Sequence, residues 1–270
     1  MVTRTTLLDV GGTFIKRADG QMFPIDSNGS SQSIAQALAA AIGPMEGLSG
    51  IGVAIPGPFD FQKGIFLMKH KFASVYGKSF RELAEIPEQI RLVFHHDVNA
   101  LLLGSVWMLG LQQGNTALVT LGTGLGFSYA LEGQVQYAPS GSPASSLWNL
   151  PVEEGGILED YVSGRGICSA YARLTGDTSQ SAYSIAQKAY AGDLTAREVY
   201  ENVGERLGKA LAKAIGNLEL STLLMGGQIS KSLSLMQRQL EEALPGIKIS
   251  PVPDNAVFCG LDCLLNEYTL

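Results

Sequence analysis

The chain has 270 residues, of which 46% are hydrophobic and 16% are charged, whereas about a quarter of an average soluble protein is charged. This apolar content is enough for a large core and excludes general disorder. The net charge of −6 disfavours a nucleic-acid-binding protein, and no apolar run of about 18 residues predicts a membrane span. The N-terminus does not resemble a signal peptide, and the three cysteines lack metal-ligand spacing, so we expect a cytoplasmic protein.

The first part of the sequence alternates between predicted strands and helices. Apolar runs predict strands at 5–10, 21–25, 51–55 and 92–95, and apolar residues at helical spacing predict helices over 31–42 and after Asp97. The first strand runs into a glycine pair, and the third is stopped by Pro56-Gly57-Pro58.

The pattern restarts at residue 116. Strands are predicted at 116–121, 127–131, 134–137 and 223–225, and helices at 158–175, 181–191, 200–215 and 233–244; the segments 247–252 and 256–266 close the chain. Both halves therefore open with an apolar strand that runs into a turn of glycine and threonine. This order predicts an α/β protein with two lobes.

The first glycine turn reads Asp9-Val10-Gly11-Gly12-Thr13-Phe14-Ile15-Lys16. A carboxylate at the end of a buried strand is costly unless it is paired, hydrogen-bonded or near a metal. The glycines allow backbone N–H groups to approach an anion, Thr13 adds a hydroxyl donor and Lys16 adds a positive charge. An ordinary hairpin turn is the alternative for this motif on its own.

Two more glycine turns follow, at 121–126 and 225–230. The first reads Leu-Gly-Thr-Gly-Leu-Gly, and its glycines are expected to allow positive φ and to clear the path of a polyphosphate. It is neither a Walker loop, because Gly-Lys-Ser/Thr is absent, nor a dinucleotide fingerprint, because a strand follows it. The second, Met-Gly-Gly-Gln-Ile-Ser, lies between a strand and a helix, where a helix N-terminus could face a nucleotide.

These three turns, in this order, resemble the ASKHA superfamily of sugar kinases, actin and Hsp70 chaperones, and more closely the ROK family (repressor, open reading frame, kinase). Three further segments strengthen the resemblance, which runs from Leu7 to about Ser232. They are Gly-Val-Ala-Ile-Pro-Gly-Pro at 52–58, His-Asp-Val-Asn-Ala at 96–100 and Gly-Gly-Ile-Leu-Glu-Asp-Tyr-Val-Ser-Gly at 155–164.

The resemblance implies a two-lobed actin-like ATPase (ribonuclease H-like) fold, with mixed sheets flanked by helices and a central cleft. It places a small lobe at 1–97, completed by the C-terminal segment 256–270, and a larger lobe at 98–255. The implied activity is ATP-dependent phosphorylation of a sugar hydroxyl by a glucokinase-like kinase of a hexose or hexose derivative. ATP and Mg²⁺ are the implied cofactors.

The resemblance also assigns roles to individual residues. Asp97 matches the catalytic base, which must accept the proton of a weakly nucleophilic hydroxyl, although an aspartate there could also cap a helix. Asp9 would hold Mg²⁺ through water. The ATP- and phosphate-binding residues would be Gly11, Gly12, Thr13, Lys16, Gly122, Thr123, Gly124, Gly226 and Gly227, and the sugar-binding residues Gly57, His70, His96, Asp97 and Glu159.

The acceptor side departs from the family pattern. His96 stands where the family has Asn, and His70 is the best match to a second Asn, so all three histidines are expected in or beside the sugar site. The segment 140–151 lacks the family's Glu-x-Gly-His and the cysteine-rich zinc loop after it, so no structural zinc is expected. By counting, Ser145 and Trp148 fall near the positions of the missing Glu and His. Trp148 would either offer an aromatic face to a sugar ring or be buried in the core.

These departures leave alternatives open. The chain could be a sugar- and nucleotide-binding protein that has lost turnover, or it could take polyphosphate in place of ATP. A DNA-binding repressor is disfavoured, because Asp9 lies too near the N-terminus to leave room for a helix-turn-helix domain. The expected partners are the sugar and ATP, without nucleic acid or membrane, and a homodimer is a family expectation. The sequence does not identify the sugar.

Overall fold

The computed structural model describes residues 4–267. Contacts divide the chain into two compact units: unit 1 combines Met1–Gln112, Gln134–Ala144 and Pro253–Leu270, and unit 2 combines Gln113–Gly133 and Ser145–Val252. Each unit has its own mixed sheet flanked by helices, which confirms the α/β fold class. Residues 268–270 of the predicted C-terminal segment lie outside the described residues.

The elements before residue 110 are β1 (Arg4–Val10), β2 (Phe14–Arg17), β3 (Met22–Pro24), α1 (Ser31–Ile42), β4 (Leu48–Ile55), β5 (Phe59–Asp60), β6 (Ile65–Phe66), α2 (Phe80–Leu83), β7 (Arg91–His96) and α3 (Asp97–Met108). Those after it are β8 (Thr116–Leu121), β9 (Leu125–Leu131), β10 (Gln134–Val135), α4 (Glu159–Val162), α5 (Gly164–Thr175), α6 (Ala182–Tyr190), α7 (Leu194–Ile215), β11 (Thr222–Gly226), α8 (Gln237–Ala243), β12 (Lys248–Pro251) and α9 (Ala256–Leu265). Short 3₁₀ segments cover Ala73–Val75 and Ile229–Leu235.

The sheet of unit 1 has the strand order β3-β2-β1-β4-β7. The central strands β1, β4 and β7 are parallel, and β2 and β3 continue the sheet antiparallel to them. Since parallel strands end at the same edge, the residues after β1, β4 and β7 come together there. This edge carries the Asp9 turn, the Pro-Gly-Pro turn and Asp97.

Helices α3 and α9 cross at a pair of glycines in unit 1. A Cβ atom added to Gly104 would lie 1.7 Å from the carbonyl oxygen of Ala256, and one added to Gly260 would lie 2.0 Å from that of Ala100. The backbones can approach this closely only because neither glycine has a side chain. By its contacts the whole of α3 belongs to unit 1, whereas the lobe boundary expected from the sequence falls after residue 97, the first residue of this helix.

In unit 2 the strands β9-β8-β11-β12 are neighbours in that order. β8, β11 and β12 are parallel, and β9 returns antiparallel to β8. The core of this unit lies between the sheet and the long helix α7, which buries Val203, Leu207 and Leu211. The glycine turns that follow β8 and β11 therefore lie at the same edge of this sheet.

Several predicted elements have different limits in the structure. The helix expected over 158–175 breaks at Ser163, whose hydroxyl accepts a hydrogen bond from Gly166 N and caps α5. Helix α7 begins at Leu194 rather than 200, because the Asp193 side chain caps it by accepting from Ala196 N at 3.0 Å. The residues at 229–235 form a 3₁₀ segment, so the helix expected from 233 begins at Gln237. None of the helices between residues 4 and 267 is long and apolar enough to cross a bilayer.

Candidate active site

The turn between β1 and β2 is a tight glycine turn that presents a carboxylate and an ammonium group. Gly11 N donates to the carbonyl oxygen of Phe14 at 2.9 Å, and a Cβ atom on Gly11 would lie 3.0 Å from that oxygen. The antiparallel register pairs Asp9 directly with Lys16, which places the two side chains on one face of the sheet. The Lys16 Nζ lies 3.6 Å from Asp9 Oδ2.

The charged form of Asp9 is disfavoured by burial and by the neighbouring Asp97, and Lys16 compensates only part of this effect. Burial and the charge of Asp97 raise the pKa of Asp9 above its ordinary value, and Lys16 offsets part of this rise. The two carboxylates are therefore close enough to interact, and a cation between phosphate and Asp9 would relieve their repulsion. Among residues 4–267 no group of three or more His, Cys, Asp or Glu side chains could hold a metal alone. Mg²⁺ commonly takes one or two carboxylates and completes its shell with phosphate oxygens and waters, so the residues present fit this ion.

Asp97 is the first residue of α3, directly after β7. Its Oδ1 accepts a hydrogen bond from Val98 N at 2.8 Å, and His96 Nδ1 lies 2.8 Å from the same oxygen. Val98 N also lies 3.4 Å from His96 Nδ1. Since both nitrogens are closer to Asp97 Oδ1, at 2.8 Å, we assign both N–H groups as donors to the carboxylate. The capping position of α3 is His96, and Asp97 lies inside the first turn.

The surroundings of Asp97 favour its ionised form. Burial raises the pKa of Asp97, but the hydrogen bond and charge of His96, the Val98 N–H and the charge of Lys71 together lower it below its ordinary value. The side chain is still 38% exposed, so a small molecule can reach it. An ionised, accessible carboxylate at a strand end is suited to accept a proton.

The three histidines have different surroundings. The ring of His96 lies beside Gly57: a Cβ atom added to Gly57 would be 3.5 Å from Cδ2 of His96. The centroids of the His96 and Phe61 rings are 5.8 Å apart. Successive residues of a strand point to opposite faces, and His95 is buried on the other face of β7 against Tyr137. His95 therefore does not share the surroundings of His96, and a place for it beside the sugar site stays a prediction. His70 is exposed in the bend before Lys71, and its role in sugar binding stays a prediction.

The sequence motifs miss Lys71. Its Cδ and Cε atoms lie 3.8 Å from the position of a Cβ on Gly12, and its charge reaches Asp97. Phe72, the next residue, is fully buried, whereas His70 on the other side of Lys71 is exposed. The sequence signal for this position is weak. The apolar Phe72 follows basic residues, but this does not show which basic side chain faces the turn.

The segment 140–151, which departs from the family pattern, contributes a serine to the surroundings of His96. The hydroxyl oxygen of Ser142 lies 3.8 Å from the Cβ position of Gly57, and Asn99 Nδ2 donates to the carbonyl oxygen of Gly141 at 3.3 Å. Ser145 and Trp148, which counting placed near the missing family residues, are exposed residues of unit 2. The indole of Trp148 is 47% exposed, so it is not a core residue.

In unit 2 the Glu159 carboxylate supports the second glycine turn. Its Oε2 accepts from Leu125 N at 2.9 Å, and a Cβ atom on Gly124 would lie 2.9 Å from the same oxygen. Neither Gly122 nor Gly124 has positive φ, contrary to expectation. The missing side chain matters at Gly124, where Glu159 lies close, whereas a Cβ atom on Gly122 would have no heavy atom within 4 Å. The sugar contact expected of Glu159 stays a prediction.

The third glycine turn packs against the second. Gly226 ends β11 in register with Thr120 of β8. Gly227 has a φ of +85°, and a Cβ atom on it would lie 2.2 Å from the carbonyl oxygen of Leu121. The Ser230 hydroxyl donates to the carbonyl oxygen of Gly226 and fixes the turn. Unit 2 therefore presents two adjoining glycine turns at one sheet edge.

Comparison with known proteins gives a consistent family. The family model described as "ROK family" matches residues 27–258. A glucokinase of Halalkalibacterium halodurans is 23% identical across 93% of this chain and 88% of its own length. An N-acetyl-D-glucosamine kinase of Photobacterium profundum is 25% identical across 74% of this chain and 70% of its own.

A solved structure has the same fold. The ROK family glucokinase from Streptomyces griseus, in complex with glucose and AMPPNP, superposes with a TM-score of 0.77 at 20% identity, covering 96% of this chain and 98% of that one. The fold class is therefore the actin-like ATPase fold. With most of the sequence matched by the family model and this fold in common, the chain belongs to the ROK family.

Proposed function

We propose that the protein transfers the γ-phosphoryl group of ATP to a hydroxyl of a hexose or hexose derivative, as a glucokinase-like carbohydrate kinase. The observation that carries the proposal is the carboxylate of Asp97, held in its ionised form at the end of β7 by His96 and Val98 N. Membership of the ROK family and the kinase names of both curated relatives support the enzyme class.

Asp97 is the general base in this proposal. The hydroxyl oxygen of the sugar forms a bond to the γ-phosphorus, the bond from that phosphorus to the ADP oxygen breaks, and Asp97 accepts the hydroxyl proton. Both contacts to the neighbouring residues use Oδ1, so Oδ2 is the oxygen that we assign to the hydroxyl. Gly57, His70, His96 and Glu159 are the further residues proposed to bind the sugar.

The phosphates are proposed to contact the glycine turns. In unit 1, Gly12 and Thr13 offer backbone and hydroxyl donors, Lys16 offers a positive charge, and Gly11, whose N–H is bonded within the turn, leaves room for the phosphates. In unit 2, Gly122, Thr123 and Gly124 contact the β- and γ-phosphates, and Gly226 and Gly227 lie along the adenosine. Asp9 would hold Mg²⁺ through water. When bound, this ion neutralises charge on the phosphate oxygens.

A second candidate is a protein that binds sugar and nucleotide without turnover. It is favoured by segment 140–151, where Ser142 lies near Gly57 and His96 and no carboxylate or imidazole of that segment does. Retained nucleotide binding with no transfer to any acceptor would support it.

The test is ADP release from ATP and Mg²⁺ over a panel of hexoses, amino sugars and their N-acetyl forms, with a parallel arm using polyphosphate. Asp97→Asn is expected to lower kcat by about 10²- to 10⁴-fold, the range for loss of a general base, and to leave ATP binding intact. The matched control is Asp254→Asn, an exposed aspartate of unit 1. Equal activity of the Asp97 variant and the wild type would refute the assignment.

A further inference from the structure

Lys71 is a basic residue at the phosphate turn for which the family motifs provide no role. Its aliphatic stem lies against Gly12, with Cδ and Cε both 3.8 Å from the Cβ position of that glycine. The end of the side chain therefore lies where the turn between β1 and β2 offers its N–H groups to an anion.

The backbone around Lys71 is fixed to this turn by two consecutive hydrogen bonds. Phe72 N donates to the carbonyl oxygen of Ser27 at 2.6 Å, and Ser27 N donates to the carbonyl oxygen of Gly12 at 3.1 Å. Phe72 is fully buried, packs against Phe66 with 5.4 Å between ring centroids, and has a φ of 55°. A bulky residue keeps this left-handed conformation only when its surroundings hold it there. The position of Lys71 relative to Gly12 is therefore built into the fold.

The charges around Gly12 leave Lys71 available to a ligand. Lys16 is paired with Asp9, and His96 is paired with Asp97. Lys71 acts on Asp97 through its charge but forms no ion pair with a carboxylate of the described residues. Its ammonium group can thus take up negative charge that arrives with the nucleotide.

We propose that Lys71 contacts the phosphoryl group during transfer and stabilises the negative charge on its oxygens. The proposal rests on the kinase function proposed above, and it assigns Lys71 to the transferred phosphate and not to the acceptor. In phosphoryl transfer the charge is spread over three equatorial oxygens, and catalysis depends on cations placed beside them. Lys71 itself undergoes no covalent change: the acceptor oxygen–phosphorus bond forms, the bond to ADP breaks, and the proton goes to Asp97.

The contact with Gly12 is the reason for choosing the phosphate. The stem of Lys71 lies on Gly12, in the turn proposed to receive the phosphates, and Lys71 reaches Asp97, the proposed base beside the transferred group, only through its charge. Lysine is also a common phosphate ligand, because its ammonium group is a compact charge with three donors.

The test compares Lys71→Met and Lys71→Arg with Lys69→Met. Lys69 is the matched control because it is an exposed lysine two residues away whose ammonium lies over the Tyr76 ring. For the sugar identified by the panel, Lys71→Met is expected to lower kcat by about 10²-fold, similar to the removal of one charge-stabilising donor, with Lys71→Arg intermediate and Lys69→Met unchanged.

Binding provides a readout that does not depend on turnover. Calorimetry is expected to show that Lys71→Met reduces the affinity for ATP, and for ADP with aluminium fluoride, at least tenfold more than the affinity for ADP alone. An unchanged kcat and an unchanged ATP-to-ADP affinity ratio would overturn the proposal, as would a rise confined to the KM of the acceptor. If every sugar is inactive, the kinase function fails, and the affinity ratio still decides the role of Lys71.

Discussion

His96 is the last residue of β7 and Asp97 is the first residue of α3, and the imidazole Nδ1 of His96 lies 2.8 Å from the carboxylate Oδ1 of Asp97. This pair places an imidazole beside the proposed base, where the family pattern has an amide. A neutral amide at this position would lack the electrostatic effect of His96 that lowers the pKa of Asp97. The pair therefore links the basicity of Asp97 to a residue that the family motif does not predict.

The first prediction concerns the pH dependence of activity. In His96→Gln the charge of His96 is lost while the burial of Asp97, which raises its pKa, remains. The pKa of Asp97 is then expected to rise. Because the base must be ionised, the acid limb of the kcat/KM profile moves to higher pH. Steady-state rates between pH 4 and 9 measure this shift, and an acid limb in the wild-type position would contradict it; Lys69→Met is the control.

The second prediction separates steric conflict from backbone strain at Gly227. Gly227→Ala introduces a Cβ atom 2.2 Å from the Leu121 carbonyl oxygen at a φ of +85°. Gly246→Ala has nearly the same φ, +82°, but no heavy atom within 4 Å of the new Cβ. Both lose about 1–2 kcal/mol to the left-handed backbone, and only Gly227→Ala adds a clash. Urea unfolding should show a clearly larger loss for Gly227→Ala, and equal losses would argue against the close packing of the two turns.

The third prediction concerns the support of the second glycine turn. Glu159→Ala leaves the buried N–H of Leu125 without its carboxylate partner. An unsatisfied buried donor costs about 1–3 kcal/mol, so the free energy of unfolding should fall by that amount, and nucleotide binding should weaken as the turn loosens. Glu205→Ala is the control, because it removes only an exposed pair with Lys209, which contributes about 0.3–0.5 kcal/mol. Equal effects of the two substitutions on stability would disprove this role of Glu159.

The fourth prediction concerns stability in acid. Burial and the charge of His96 lower the pKa of His95 to about 4, whereas an unfolded histidine titrates near 6.5. As pH falls from about 6.5 to about 4, the unfolded chain binds a proton that the folded chain does not, so the fold loses up to about 3 kcal/mol. His95→Phe keeps a ring against Tyr137 and should flatten this dependence. Urea unfolding midpoints of the wild type and the variant are compared at pH 7.5, 6.0 and 5.0. The same change of midpoint with pH in both proteins would contradict the role of His95.

Local signals in the sequence were sufficient for most elements of the fold. Helix α1 has the predicted limits because Ser30 caps it and Ile34, Leu38 and Ala41 recur at helical spacing. The helix expected over 158–175 fails because Ser163 offers a local cap that an apolar pattern does not reveal. Strand β2 was missed, because only Ile15 among its four residues is buried.

The site was predictable where a motif fixes the register and unpredictable where it does not. The glycine turns and Asp97 could be found because each follows a predicted strand. The contact of Lys71 with Gly12 could not be predicted, because no motif marks this lysine and the neighbouring Phe72 is positioned by packing against other aromatic rings. The opposite orientation of His95 and His96 was available from strand alternation alone.

The glycine crossing of α3 and α9 has a consequence for biosynthesis. The two helices are separated in the sequence by the whole of unit 2, and α9 also packs on β4 and β7. On the ribosome, unit 2 is therefore complete before α9 emerges, and until then the face of α3 around Gly104 has no helix to pack against. Unit 2 can fold during synthesis, whereas unit 1, with the proposed base Asp97, must wait for the final helix of the described chain.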